Sequence, residues 1–238
     1  MTTAFFHNPR KDLSILGASL IAIAVAWFGI PAGMSAVKHY QWYRSHSVVL
    51  VTLSEADRKT LHDRIRKTRN DIRANVASDK LSRARAYELL ARDYRELGLL
   101  GKSVHAYASA DAINSQDADL ILDFAEVTQL MTDYPRSEVL YRRAIDREPA
   151  RIESYQKLAD MYFYDLKDSE TARGIYVEGL IKSNSDLSLM KLFANFLELA
   201  GNRSEAMLYW QAVLEKDQQN KVVEEHIKDL RTMMQKTQ

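Results

Sequence analysis

The amino-acid sequence predicts an all-α protein: an α-solenoid of about four helix-turn-helix units, preceded by one transmembrane helix and followed by a capping helix. A small residue recurs at intervals of 34, 34 and 35 residues, at Ala91, Ala125, Ala159 and Ala194. An aromatic residue recurs at intervals of 34, 35 and 34, at Tyr107, Tyr141, Tyr176 and Trp210. Residues 13–37 form a third signal, because they contain no charged side chain. Two independent markers with one period indicate stacked helix pairs.

Each unit consists of two helices. The first carries large residues around one small residue, and the second packs into the space over that small residue. In the first unit, residues three and four apart place one small and three large side chains on one helix face: Tyr87, Leu90, Ala91 and Tyr94. After a turn that contains Gly98 and Gly101, a second helix offers the complementary set: Ser103, Tyr107 and Ala110. This order resembles the tetratricopeptide repeat (TPR), a helix-turn-helix unit of about 34 residues. The departures are mild, with Gly179 and Val213 at the helix-B alanine and Thr128 at an aromatic position.

The two markers also predict where the repeats begin and end. We place the array at residues 84–220, with repeats at 84–117, 118–151, 152–186 and 187–220. The third repeat is one residue longer, and we expect a longer turn near residues 165–170 to absorb the extra residue, since loops tolerate insertions at little cost. The other two core positions of helix A are large and apolar in every repeat: Tyr87, Ile121, Tyr155 and Met190, then Leu90, Phe124, Leu158 and Phe193.

The composition excludes several functional classes. The net charge is +1, from 33 basic and 32 acidic residues, so the chain as a whole has no attraction to nucleic acid or to anionic lipid. There are no cysteines, which excludes disulfides and thiolate chemistry.

Residues 13–37 are predicted to be one membrane span after a polar tail at 1–12. A helix of that length reaches about 37 Å, enough for a hydrocarbon core of about 30 Å with some tilt. The aromatic and basic residues that follow suit a headgroup interface: Lys38, Tyr40, Trp42, Tyr43 and Arg44. The alternative is a cleaved signal peptide with an A-x-A site at residues 22–24 or 24–26. Basic residues flank both ends of the span, so the charge difference that sets orientation is close to a tie, and we expect the repeats in the periplasm or otherwise outside the cytoplasm.

Small residues line one face of this predicted span. They recur three or four apart: Ser14, Ala18, Ala22, Ala26, Gly29, Gly33 and Ala36. Such a face favours close helix–helix association in a membrane, although alanine and glycine are also common in membrane helices without that role.

Three further segments complete the chain. Residues 38–53 form a juxtamembrane segment whose apolar run, 48–53, either packs on its own domain or adds to the edge of a partner's sheet. Residues 54–83 are predicted to be a linker helix with Ser54 as its N-cap, and its basic face to be a solvated spacer because acidic residues are interspersed. Residues 221–238 are expected to form a capping helix and tail.

The candidate site is the concave face of the array, which the TPR resemblance assigns to helix-A positions between the core residues. The predicted partner-binding residues are Asp119, Glu126, Glu153, Asp160, Phe163, Tyr164, Lys191 and Asn195. We expect the aromatic pair to anchor a peptide or helix, and the carboxylates to steer a basic segment. Lys191 and Asn195 match one pair of the carboxylate clamp in the family's chaperone-binding branch, but the earlier repeats lack the other pairs.

No motif in the sequence predicts catalysis, a cofactor site or a metal site. Residues 98–103 echo the end of a phosphate-binding loop, but the first glycine is missing and the segment joins two helices. The six histidines lack metal-ligand spacing. The sequence thus predicts a membrane-anchored scaffold for protein partners, similar in architecture to bacterial assembly factors such as translocon-associated and cytochrome-maturation subunits. The alternative is a permanent structural subunit of one membrane complex, and an enzyme is the least favoured class.

Overall fold

The structure, a computed structural model, describes residues 53–74 and 79–236, which belong to a compact unit that spans residues 48–238. These described residues form ten α-helices and one π-helical turn, without a strand. The helices are α1 Glu55–Arg73, α2 Lys80–Glu96, α3 Leu100–Ile113, α4 Ala118–Leu130, α5 Tyr134–Arg147, α6 Ile152–Asp160, α7 Ser169–Lys182, α8 Leu187–Leu199, α9 Arg203–Lys216 and α10 Lys221–Lys236. The π-helical turn, Met161–Asp165, continues α6 directly. The all-α prediction is confirmed for this part of the chain.

Helices α2 to α9 form four consecutive pairs, each with an A helix and a B helix. The A helices are α2, α4, α6 and α8, and the B helices are α3, α5, α7 and α9. All four small markers of the A helices are completely buried, including Ala159, as predicted. The four aromatic markers of the B helices are at most 6% exposed. Burial of both markers in every repeat shows why they keep the same period: each alanine leaves room for a B helix to approach closely.

Acidic side chains begin five of these helices. Each N-cap carboxylate accepts a backbone N–H of the first helical turn, in α2, α4, α5, α7 and α8: Asp79, Asp117, Asp133, Asp168 and Asp186. Ser54 caps α1, as predicted, and its Oγ accepts the Asp57 N–H at 3.1 Å. Because Asp79 supplies a cap, α2 begins at Lys80, four residues before the predicted start of the array, and the predicted linker helix is shorter, with α1 ending at Arg73.

The extra residue of the third repeat is not in the loop, and the prediction of a longer turn near residues 165–170 was wrong. In the other three repeats, helix A closes with a backbone bond across five residues, such as Leu99 N–H to the Tyr94 carbonyl at 2.8 Å. In the third repeat the corresponding bond crosses six residues, from Asp168 N–H to the Tyr162 carbonyl at 2.9 Å. The residue is absorbed by the π-helical turn, so the loop keeps its usual length.

The two terminal helices cover the ends of the array. Leu61 and Ile65 of α1 are buried beside α2, where Arg64 forms a bidentate hydrogen bond with the completely buried carboxylate of Asp93. At the other end, α10 buries the side chains of Val223, Ile227 and Leu230, in agreement with the expected cap. The hydrophobic core is therefore continuous from α1 to α10 and closed at both ends.

Candidate functional site

The predicted site residues lie on the A helices α4, α6 and α8 and on the π-helical turn after α6. We call the surface of the four A helices between their core residues the helix-A face. Salt bridges between neighbouring A helices cross this face. In the first two repeats, Arg92 Nη2 lies 2.8 Å from Asp123 Oδ2, and Arg95 Nη1 lies 3.1 Å from Glu126 Oε2. Charge on this face is therefore partly neutralised within the protein.

Glu126 is the carboxylate most fully occupied by such contacts. It lies between Arg95 on the preceding A helix and Lys157 on the following one, and it forms a salt bridge with each. Its side chain is 26% exposed. A cation on each side makes Glu126 a link between three repeats, and the sequence did not reveal this link because the partners are 31 residues away in each direction.

Asp119 and Glu153 are more accessible. Both contact Arg151 at the start of α6: Asp119 Oδ1 lies 2.6 Å from its Nη1, and Glu153 Oε2 lies 3.0 Å from its Nη2. Their side chains are nevertheless 70% and 48% exposed. These two carboxylates can still meet a basic partner, because an exposed ion pair is worth little and exchanges readily.

Asp160 occupies a buried position, contrary to the expectation that it faces the groove as a steering charge. It is 8% exposed, and its Oδ1 accepts a hydrogen bond from the Tyr176 hydroxyl at 3.3 Å. Burial, followed by the negative charge of Asp160, raises the pKa of Tyr176 well above its usual value. The pair therefore keeps Tyr176 neutral and a hydrogen-bond donor inside the third repeat.

Phe163 and Tyr164 lie side by side on the π-helical turn, and both are half-buried. Their ring centroids are 4.7 Å apart in an edge-to-face arrangement, and Phe163 packs edge-on against Phe196 of α8 at 5.1 Å. Phe196 in turn contacts Tyr176 and Phe193. The exposed parts of Phe163 and Tyr164 are thus the edge of an aromatic cluster that joins the third and fourth repeats.

Two of the predicted site residues, Lys191 and Asn195, lie on α8. Asn195 is exposed, and the Lys191 Nζ lies 3.9 Å from Asp217 Oδ2. One turn beyond Asn195, the Oε1 atom of Glu198 contacts Trp210 Nε1 at 2.5 Å and His226 Nε2 at 2.7 Å. Glu198 therefore connects α8 to both the last B helix and the capping helix.

The hydrogen-bond acceptors of the aromatic markers on the B helices were not predicted from the sequence. Tyr107, Tyr141, Tyr176 and Trp210 all direct their polar atom to a side chain on an A helix, with acceptors Asp123, Gln129, Asp160 and Glu198. Tyrosine and tryptophan commonly need such a partner when buried. A usable signal was present, because aromatics with a polar atom, rather than phenylalanine, recur at this position.

Two sequence features that bear on chemistry, the loop-like motif and the histidines, can be located in the part of the chain that the structure describes. Ser103, the last residue of the loop-like motif, is completely buried and donates its hydroxyl to the Ala91 carbonyl at 2.7 Å. No group of histidine and carboxylate side chains among residues 53–74 and 79–236 could hold a metal ion.

None of the helices within those ranges combines the length and the apolar composition needed to cross a bilayer. The predicted span at 13–37, its small-residue face and nearly all of the 38–53 segment lie outside the described residues.

The helix pairs, their period and their buried small positions define a helical-repeat protein with a TPR-type fold. No family model and no curated protein matches the sequence. Among solved structures, the crystal structure of MamA is similar, with a TM-score of 0.51, 17% identity, and coverage of 65% of this chain and 86% of that one. A tetratricopeptide repeat protein from Parabacteroides merdae aligns with a TM-score of 0.49 and 15% identity over 75% of each chain. The thermophilic TPR protein TTC0263 from Thermus thermophilus aligns at 0.46 and 14% over 69% and 99% of the respective chains. At 17% identity, the likeness to MamA is one of fold.

Proposed function

We propose that this protein is a scaffold that binds a protein partner on the helix-A face and is attached to a membrane through residues 13–37. The observation that carries the binding proposal is the half-exposed pair Phe163 and Tyr164 on the π-helical turn, with Asn195 exposed on the next A helix. The accessible carboxylates of Asp119 and Glu153 lie in the first turns of α4 and α6, and Glu153 is about 15 Å along the helix from Phe163 at about 1.5 Å per residue. Aromatic anchors are typical of protein-binding surfaces. A π-helical turn is frequently found at functional sites.

Coverage of both ends favours a lateral surface for the partner. The apolar side chains of α1 and α10 already occupy the two end surfaces, where a further repeat would otherwise stack. A partner is therefore left with the sides of the array, which are formed by the A helices or the B helices.

The B-helix side is the weaker candidate because its exposed apolar residues are separated from one another. Val139 and Leu208 are 66% and 64% exposed at equivalent positions, two residues before the aromatic marker. The repeat between them has Gly174 at that position, and the exposed apolar residue of its B helix, Ile181 (74% exposed), lies two turns further on, about 10 Å away at about 1.5 Å per residue. Single exposed apolar residues are normal on protein surfaces and do not indicate an interface.

A photo-crosslinking amino acid tests the choice of face in native membranes. Placed at Gln156 or Asn195 on the helix-A face, it should form one reproducible adduct, while the matched positions Val139 and Leu208 should form none. Phe163→Ala combined with Tyr164→Ala should weaken the adduct from Asn195 without loss of helicity. Adducts confined to Val139 and Leu208 would rule out the helix-A face.

The membrane part of the proposal rests on the charge-free sequence of residues 13–37. The full chain should resist alkaline extraction from membranes, and a reporter fused after residue 45 should act as a non-cytoplasmic marker. Release of the chain from membranes at alkaline pH would refute the membrane anchor but not the binding of a protein partner.

A role in assembly of a membrane or envelope complex and a role as permanent subunit predict different partners. The small-residue face of the predicted span favours the second role, since such faces allow close helix packing. Co-purification in detergent separates the two. A permanent subunit should keep the same partners in fixed ratio, whereas an assembly factor should release them when assembly is complete.

A further inference from the structure

Helix α1 carries a group of exposed basic side chains, and burial of its apolar face fixes where they lie. The group, which we call the α1 basic stripe, consists of Arg58, Lys59, His62, Arg66, Arg69 and Arg73, all exposed. Acidic residues are interspersed with these basic ones in the sequence, and for that reason the basic face was predicted to be a solvated spacer. Around the helix, however, the acidic and basic residues lie mostly on different sides.

Burial of Leu61 and Ile65 fixes which side of α1 faces the array. With about 100° of rotation per residue, all six residues of the stripe lie within a sector of about 100° beside that buried face. The acidic residues Asp57, Asp63 and Asp71 fall outside this sector, and Glu55 in the first turn is the only carboxylate of α1 within it. The stripe extends for about 22 Å from Arg58 to Arg73, at about 1.5 Å per residue.

The stripe is scarcely neutralised by the rest of the array. Among the described residues, the only ion pair made by a member of the stripe joins Arg66 Nη2 to Asp63 Oδ1 at 3.0 Å, and that Arg66 side chain is 76% exposed. An exposed pair of this kind contributes little and does not hold the guanidinium. By contrast, Arg64, which lies outside the stripe, is bound to Asp93 and holds α1 against α2. One side of α1 thus attaches it to the array while another presents free cations.

We propose that the α1 basic stripe binds the anionic phospholipid headgroups of the membrane to which the chain is anchored, so that α1 lies on the membrane surface. The proposal rests in part on the anchored scaffold described above, because α1 begins at Glu55, a short distance along the chain after the charge-free residues 13–37. Clusters of four to eight basic residues beside a membrane segment are attracted to anionic lipid. The apolar face of α1 is occupied by the array, so attraction is by charge alone and must weaken with salt.

The absence of cysteine allows a direct test on the full chain in lipid vesicles. Single-cysteine variants His62→Cys, in the stripe, and Thr60→Cys, on the other exposed side of α1, are labelled with a fluorophore. The vesicles contain phosphatidylcholine with a nitroxide on its headgroup, with or without phosphatidylglycerol. Fluorescence at position 62 should be quenched more strongly than at position 60, only when phosphatidylglycerol is present, and less so in high salt.

Charge variants provide the control. Arg66→Gln, Arg69→Gln and Arg73→Gln together should shift the equilibrium between bound and free α1 by up to about 100-fold, at about five-fold per cation, and abolish the quenching. The matched triple Lys167→Gln, Lys182→Gln and Lys236→Gln, which removes three exposed cations elsewhere, should leave it unchanged. Equal quenching at positions 60 and 62, or quenching that ignores phosphatidylglycerol, would overturn the proposal. So would stripe-dependent binding of a DNA duplex that phosphatidylglycerol vesicles fail to displace.

The outcomes for the stripe and for the anchor are separable. A chain that resists alkaline extraction but shows no selective quenching retains the anchor and refutes the stripe. A chain that is extracted by alkali, yet still binds phosphatidylglycerol vesicles through the stripe in a salt-sensitive way, supports the stripe and refutes the anchor.

Discussion

Gly179 occupies the B-helix position where the first two repeats have alanine, and its neighbours explain the smaller residue. A Cβ atom added to Gly179 would lie 2.7 Å from Tyr155 Cγ and 2.9 Å from Leu189 Cδ2. Both neighbours are completely buried, so neither can move aside easily. The large tyrosine of α6 is therefore matched by the loss of one methyl group on α7.

We expect Gly179→Ala to destabilise the array and Gly174→Ala, on the same helix, to stabilise it. Alanine is favoured over glycine in a helix by about 1 kcal/mol at both positions. At Gly179 that gain is outweighed by overpacking, which costs about 1–3 kcal/mol, whereas a Cβ at Gly174 meets no atom within 4 Å. Thermal denaturation followed by circular dichroism should place the two variants on opposite sides of wild type. Equal stabilisation by both would show that the contact at Gly179 relaxes freely.

The second residue after each A helix, with the π-helical turn counted as part of α6, adopts a left-handed conformation, and only two of the four are glycine. Gly98 and Gly201 have φ of 71° and 86°, while Thr132 and Lys167 have φ of 59° and 58° at the equivalent positions. A residue with a Cβ atom pays about 1–2 kcal/mol in this region. The second and third repeats thus tolerate strain that the first and fourth avoid.

Lys167→Gly should stabilise the protein by about 0.5–1 kcal/mol, because relief of the strain exceeds the entropy that glycine adds to the unfolded chain. Gly98→Ala should have the opposite effect, with a loss of about 1 kcal/mol. Urea denaturation measures both changes. A Lys167→Gly variant less stable than wild type would show that the left-handed conformation of Lys167 is not strained.

At the scale of the element, the π-helical turn is where the third repeat departs from the other three. It lets the turn after α6 keep the length used elsewhere, with Lys167 in the left-handed position and Asp168 as the next N-cap. It also brings the neighbours Phe163 and Tyr164 to half-buried positions together. The insertion and the aromatic pair of the candidate site are therefore one structural feature.

Deletion of Asp165 should be tolerated, because it restores the 34-residue spacing and converts the π-helical turn to α-helix. Its side chain is exposed and accepts one hydrogen bond, from Gln129 at 2.6 Å, so we expect a loss of about 1 kcal/mol. Deletion of the exposed Glu96 in α2, which has no extra residue to lose, should cost on the order of 3 kcal/mol or more, because it rotates the helix end away from Gly98.

Melting temperatures of the two deletion variants test the location of the insertion. Equal losses would argue against an insertion absorbed by the helix. The Asp165 deletion should also reduce the crosslink from Asn195 while the protein stays folded, since it changes how the aromatic pair is presented.

At the scale of the whole molecule, α1 and α10 close an array that would otherwise expose apolar surface at each end. The attachment of α1 depends on Arg64 and the completely buried Asp93 carboxylate. The hydrogen bond with Asp93, followed by its charge, raises the pKa of Arg64, so this guanidinium is charged at any pH at which the protein is folded. A buried carboxylate that loses its cation is costly, because nothing replaces the water it gave up.

Arg64→Met should destabilise the protein by about 2 kcal/mol, less than for a fully buried pair because the Arg64 side chain is 42% exposed. Combination with Asp93→Leu should recover much of that loss, since no charge is then left buried. Lys67→Met, at an exposed position of the same helix, is the matched control and should change stability little. Hydrogen exchange should show faster exchange in α1 for Arg64→Met alone. Equal effects of the Lys67 and Arg64 substitutions would argue against the pairing.

The sequence by itself determined the class of fold, the four helix pairs and the residues of the core. It did so because a solenoid repeats one local pattern, and burial of Ala91, Ala125 and their equivalents follows from spacing along a single helix. The exposure of Phe163 and Tyr164 was predictable from their helix positions, and both lie half-exposed; their role in binding a partner stays a prediction.

Only the tertiary structure decided which charges are available. Glu126 is held between cations 31 residues away on either side, Asp160 is buried and accepts a hydrogen bond from Tyr176, and burial of Leu61 and Ile65 leaves the α1 basic stripe exposed. Periodicity predicts which residues share a helix face. It does not predict the partner of a charged side chain, because that partner lies on a neighbouring repeat and depends on how the two repeats pack. Long polar side chains cross from one repeat to the next, and the local sequence pattern does not specify which side chain they meet.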